Sequence, residues 1–143
     1  MKETAAFFKV LADEARLRML WLLFRQRELC VCDFIEVLGI TQSKASRHLR
    51  ILYGAGLVTD RREGLWVYYA LRPLPNGLAK GQLDMLRSHL AGRPDAAVLL
   101  RRLSTWLRRK RGAKRCVEKP ASKLAQTSNV AVPSGVLPAG RQS

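Results

Sequence analysis

Acidic residues are scarce in this 143-residue chain, with 11 Asp plus Glu against 26 Lys plus Arg and a formal net charge of +15. An excess of that sign points to polyanionic partners, either nucleic acid or an anionic membrane surface. Long apolar runs are missing as well. The longest uncharged one near the N-terminus, Met19 to Phe24, is far too short to cross a bilayer. No small-residue cleavage site goes with it, so no signal peptide is expected and a cytoplasmic location is. Cysteines number only three, and two of them sit one residue apart. An odd count in that arrangement argues against a disulfide scaffold and for thiol chemistry in a reducing compartment. There is no Gly-rich phosphate loop and no pair of carboxylates in an apolar frame. Neither histidine has a nucleophile at a recognisable spacing, so an enzyme is not expected.

What is present fits one domain with a modest core and no internal repeat. Phe7, Phe8 and Leu11 mark one face of a short first helix, Glu3 to Leu11. Asp13 caps a second, running to about Gln26, whose Leu17, Leu20, Trp21 and Phe24 face is filled out by Met19, Leu22 and Leu23. A helix apolar nearly all round is a buried central helix. Asp33 followed by Glu36 reads as a capping box opening a short helix, Phe34 to Leu38, which Gly39 stops. Thr41 caps the next helix, ending near Gly54 or Gly56, so the pair forms a helix-turn-helix. Leu57 to Arg62 and Leu65 to Leu71 are strand-like around a Glu63-Gly64 turn, a β-hairpin. Two further helices are expected, Leu78 to about Ser88 and Asp95 to Arg111. Residues 1–111 thus form a mainly α winged helix-turn-helix domain with a small β-hairpin wing. Residues 112–143, rich in Ala, Ser, Pro, Gly and Lys and without periodicity, are expected to form a basic, disordered tail.

The helix from Thr41 has two distinct faces. At about 100° per residue, Ser43, Ser46, Arg47 and Arg50 share one sector, while Ala45, Leu49 and Leu52 lie opposite. The apolar side can dock on a core while hydroxyl and guanidinium groups face a DNA groove, Arg bridging guanine acceptors or clamping phosphate. Gln42 and Lys44, near the N-terminal end that enters the groove, are further contacts. An ordinary amphipathic surface helix has the same periodicity; the capped helix before it and the basic hairpin after it favour DNA. His48 borders the apolar side and is expected to be packed and hydrogen-bonded. Arg61 and Arg62 at the wing suit phosphates or a minor groove, with a solvated turn as the alternative. Val67, Tyr69 and Leu71 are the core side of the second strand.

Cys30 and Cys32 lie just ahead of this unit. In a regular helix residues i and i+2 diverge by about 200°, whereas in an extended segment both sulfurs fall on one side. With Asp33 as the cap, both cysteines precede the regular helix and can converge on one soft ion. Closing on it would pull on the first turn of the helix-turn-helix, coupling a chemical signal to DNA reading. Two buried small hydrophobes, or a redox disulfide strained at this spacing, are the alternatives.

Four segments together, Glu28-Leu29-Cys30-Val31-Cys32-Asp33, Ser43-Lys44-Ala45-Ser46-Arg47-His48-Leu49, Gly56-Leu57-Val58 and Gly64-Leu65-Trp66-Val67-Tyr68-Tyr69, resemble the arsenical-resistance repressors of the ArsR family. The likeness covers about Ala5 to Leu71, half the chain. It implies a homodimeric winged helix-turn-helix repressor that leaves double-stranded operator DNA when As(III) or Sb(III) binds the cysteine thiolates. It also implies terminal helices at the dimer interface. A third thiolate found in some relatives corresponds to Ile35, which cannot ligate. Either solvent or an exogenous thiol fills that position, or Cys116 does, its Lys114 and Arg115 neighbours favouring thiolate. No Cys or His precedes Phe7, and His89 stands at the wrong spacing from Asp84 for a zinc pair.

From Arg101 to Lys123 there are ten Lys or Arg and one acid, Glu118, suited to nonspecific phosphate contact or to solubility. The stripe Leu99, Leu103, Trp106 and Leu107 is expected to be exposed in a monomer and to pack in the dimer. Two other functions share these features: a winged-helix regulator sensing oxidants through its thiols, and a basic nucleic-acid-binding protein without sequence preference.

Overall fold

A computed structural model describes residues 1–118, with side chains through residue 112. Helices α1 (Lys2–Leu11) and α2 (Glu14–Arg25) lead to a two-residue strand, β1 (Leu29–Cys30). Helices α3 (Val31–Leu38) and α4 (Gln42–Gly54) precede strands β2 (Val58–Glu63) and β3 (Trp66–Leu71). The described chain ends with α5 (Leu78–Ala91) and α6 (Pro94–Glu118). This is the expected winged helix-turn-helix, and the predicted caps at Asp13 and Thr41 are in place. The Asp13 carboxylate accepts the Arg16 N–H at 3.1 Å, and Thr41 Oγ1 accepts that of Lys44 at 3.1 Å. Gly39, at φ 66°, supplies the left-handed residue that ends α3 and turns the chain into α4.

Helix α2 is the central helix. Met19, Leu20 and Leu22 have no solvent exposure, and Phe34, Leu49, Leu52 and Val58 pack around them with none either. Trp21 Nε1–H donates to the Ala96 carbonyl at 2.9 Å, fastening α2 to the start of α6.

Four features depart from the sequence expectations. First, the sheet has a third strand: β1 pairs antiparallel with β3, Leu29 opposite Tyr69 and Cys30 opposite Tyr68, giving the order β1-β3-β2. A two-residue strand carries no alternation that a sequence could display. Second, α3 begins at Val31, three residues before the expected Phe34, so Cys32 lies inside its first turn. Pairing with Tyr68 holds Cys30 extended (φ −86°, ψ 167°), which makes it the N-cap. Asp33 is the third helical residue, and its carboxylate reaches back to the Cys30 N–H at 2.8 Å. Third, α6 does not stop at Arg111 but runs through Gly112 to Glu118. One glycine costs about 1 kcal/mol in a helix, which the flanking Arg, Lys and Ala residues absorb. Fourth, the α6 stripe is not left for a partner. Leu99 and Leu103 are buried and Trp106 and Leu107 partly buried, packed within this chain's own core.

The docking of α6 on α3 centres on Asp33, which is 2% exposed. Its Oδ2 accepts from Cys30 N, and its Oδ1 accepts from Trp106 Nε1 at 2.7 Å and from Lys110 Nζ at 2.9 Å. On α4, buried His48 packs toward α2 with Nδ1 3.1 Å from Arg16 Nη1 and 3.9 Å from Asp13 Oδ1. Burial holds the His48 pKa below its ordinary value; Arg16, Arg47 and Lys44 add to the effect and Asp13 opposes it.

Two outcomes follow for stability. Asp33→Asn keeps the shape but turns donors toward donors, and should lower unfolding free energy by about 2–3 kcal/mol; an unchanged urea midpoint would refute the junction. For His48 the folded chain binds fewer protons than the unfolded one. Its contribution is therefore complete above the unfolded pKa of about 6.5 and is lost as pH falls through the depressed folded value. Urea midpoints at pH 7.5 and 5.5 should differ more in the native chain than in His48→Gln.

Candidate thiol centre and nucleic-acid interface

The two cysteines meet because they do not share one regular conformation. Cys30 is extended at the end of β1, Cys32 is in the first turn of α3, and the i, i+2 divergence of a continuous helix does not apply. Their sulfurs and an Asp33 carboxylate oxygen lie within 4.8 Å of one another. Cys30 is buried and Cys32 half-buried, and both are free thiols. A hydrogen bond with Cys30, reinforced by burial, pushes the Cys32 thiol well above its ordinary range.

Two converging sulfurs suit a soft, thiophilic ion. Asp33 is a poor third donor, because both of its oxygens already accept hydrogen bonds. Above the pair stands Lys110, its Nζ 3.5 Å from Cys30 Sγ. Burial works to lower the Lys110 pKa, but its electrostatic interaction with Cys30, Cys32 and Asp33 outweighs burial and the ammonium is held above its usual value. Ile35 is partly buried against the core and offers no donor atom. Cys116 falls in the last turns of α6, and its side chain lies outside the described residues.

The α4 faces separate as the sequence suggests. Gln42, Ser43, Lys44, Arg47 and Arg50 are exposed and Ser46 is half-buried, while Ala45, Leu49 and Leu52 are buried. His48 is buried too, at 7% exposure, and belongs to the packing side. At the wing the two arginines differ. Arg62 is exposed. Arg61 is held by Glu28 through two bonds, Nε to Oε2 at 2.9 Å and Nη2 to Oε1 at 2.8 Å. It also binds Glu63 at 2.6 Å and lies over the Tyr68 ring, 4.8 Å from its centroid. Its charge is balanced within the protein. Burial raises the Tyr68 phenol to about 12, so it stays neutral beside the thiols.

Sequence reasoning missed Trp106 and Lys110. They lie 73 and 77 residues from Asp33, in a run where Lys110 is one cation among many. It also missed Glu28 as the partner of Arg61, for which only opposite charge was visible.

The family model described as "Bacterial regulatory protein, arsR family" matches residues 13–60, a span that takes in α2, the thiol pair and α4. The chain is 46% identical over 93 residues to the arsenic resistance transcriptional regulator ArsR1 of Pseudomonas putida, covering 62% of this chain and 71% of that protein. It is 50% identical over 74 residues to the arsenical resistance operon repressor of Escherichia coli, covering 51% of this chain and 63% of that one. Among solved structures it is similar to the homodimeric winged helix-turn-helix DNA-binding domain of a possible ArsR-family regulator from Mycobacterium bovis. That likeness has a TM-score of 0.50 at 29% identity, over 63% of this chain and 76% of that one. Sharing 46% identity over 71% of the length of that Pseudomonas putida regulator, the chain belongs to the ArsR family of bacterial regulatory proteins, which are regulators and not enzymes.

Proposed function

We propose that this protein is a transcriptional repressor, released from its operator when trivalent arsenic or antimony binds Cys30 and Cys32. The observation that carries this reading is the convergence of two free thiols on the N-terminal turn of α3, the helix that precedes the exposed basic face of α4. Relatives named for arsenic resistance support the choice of ligand. Ser43, Ser46, Arg47 and Arg50, with Gln42 and Lys44, read the major groove, and Arg62 contacts backbone phosphate. Arg61 joins it on the DNA by exchanging a carboxylate for a phosphate.

The repressor acts as a homodimer, as in the Mycobacterium bovis relative. Exposed apolar side chains on α1 (Phe8) and α5 (Leu78 and Met85) suit that contact. No helix among the described residues is long and apolar enough to cross a membrane. A repressor that binds operator DNA works in the cytoplasm, and that is the location proposed for it.

The thiol pair and DNA are linked through α3. Metal–sulfur bonds require each sulfur as thiolate and draw the N-cap residue and the first helical turn together. Gly39 and Ile40 alone separate α3 from the Thr41 cap of α4, so a shift in α3 is passed to the reading helix. The ligand need only bind the two arrangements with different affinity for operator affinity to change by the same factor.

Fluorescence anisotropy on the protein's own promoter tests this. Arsenite or antimonite should release the native protein, while Cys30→Ser should bind DNA normally and stay bound. Release of Cys30→Ser by arsenite would overturn the assignment. Peroxide release with no arsenite response under reducing conditions would make the thiols a redox sensor. A uniform affinity for all sequences would make the protein a nonspecific nucleic-acid binder. Arg47→Ala and Arg50→Ala should each weaken operator binding by about 5- to 150-fold, and Arg62→Ala should reduce the salt slope by about 1.

A further inference from the structure

Trivalent arsenic forms three bonds, and the described residues supply only two sulfurs to it. Asp33 could contribute an oxygen only by giving up the N–H of Cys30 or its hold on Trp106 and Lys110. Ile35 has nothing to give. Among the described residues nothing else fills the third position, which leaves it to a group carried by the ligand, and α6 brings Lys110 to the place where that group would sit. The Nζ of this residue is 3.5 Å from Cys30 Sγ and 2.9 Å from Asp33 Oδ1. An ammonium has three N–H donors, and among the described residues these are the two acceptors it reaches.

We propose that Lys110 is a specificity-determining residue: it donates to a hydroxyl retained on arsenic, so that the thiol pair selects inorganic arsenite over organoarsenicals. This rests on the proposed arsenic reading. Arsenious acid, As(OH)3, condenses with the two thiols to give two As–S bonds, one remaining As–OH and two waters. Each thiol proton leaves with a displaced hydroxyl, and the oxidation state of arsenic does not change. The retained oxygen accepts a hydrogen bond from the ammonium. An arylarsenical presents carbon there instead, leaving a partly buried cation facing a group that cannot accept. Sites built around such a donor reject analogues lacking the acceptor far more strongly than apolar pockets reject a change of size.

The test uses the full chain without DNA, titrated separately with arsenite and with phenylarsine oxide under reducing conditions, with arsenic–thiolate absorbance as the readout. Lys110→Met should weaken arsenite binding on the order of tenfold or more and leave phenylarsine oxide binding unchanged or tighter. Lys110→Arg, which keeps the donor and the Asp33 ion pair, should retain most of the native ratio. Phenylarsine oxide affinity also reports that the Met variant still presents both thiols. Equal losses for both ligands, or no change in their ratio, overturn the proposal. Loss of arsenite binding in Cys116→Ser overturns it too, by making that sulfur the third donor. If the native protein shows no arsenic–thiolate absorbance with either ligand, it is the arsenic reading itself that fails.

Discussion

A carboxylate that is almost wholly buried needs donors at every lone pair it turns inward, and Asp33 finds three. One is the backbone N–H of Cys30, one the indole of Trp106, and one the ammonium of Lys110. The first fixes where α3 begins and hence how the two sulfurs are presented. The other two fix where α6 lies. Because one side chain satisfies both demands, the geometry of the thiol pair and the position of the last helix are not independent. Trp21, bonded to the Ala96 carbonyl at the other end of the same helix, keeps α6 from pivoting about that junction.

The other half of the molecule is organised around α2. Its apolar surface takes up Leu49 and Leu52 of α4, and the Arg16–His48 contact closes the edge of that interface. Arg16 also donates to the carbonyls of Val10 and Lys9, so the end of α1 is drawn into the same cluster. Keeping the buried imidazole neutral lets α4 turn its exposed cations outward without adding a second cation to Arg16 beneath them. The basic face can then be dense because the packing face is not charged.

Local signals gave the architecture and left the long-range pairings dark. The caps at Asp13 and Thr41, the apolar saturation of α2 and the two faces of α4 were all legible, since each depends on residues within one or two turns. The start of α3 was misplaced because Asp is a far commoner cap than Cys. What made Cys30 the cap was a strand pairing with Tyr68, well outside the local window. The α6 stripe was legible as a buried face, but periodicity reports that a face has a partner and not whose it is. The convergence of the sulfurs was anticipated through a different conformation from the one found. Asp33 looked like a cap and proved also to be an anchor, because its distant donors leave no mark on the sequence around it.

The bidentate grip of Arg61 on Glu28 has a consequence for what DNA can do to the thiols. Glu28 lies two residues before Cys30, and Tyr68, beneath the same guanidinium, is the residue paired with Cys30 across the sheet. A phosphate that displaced Glu28 from Arg61 would untie the strand leading to the sulfurs. Traffic along that connection is necessarily two-way. An operator that engaged Arg61 in this way would itself be an effector of the thiol site, and the protein seated on DNA would be a different receptor from the same protein free in solution.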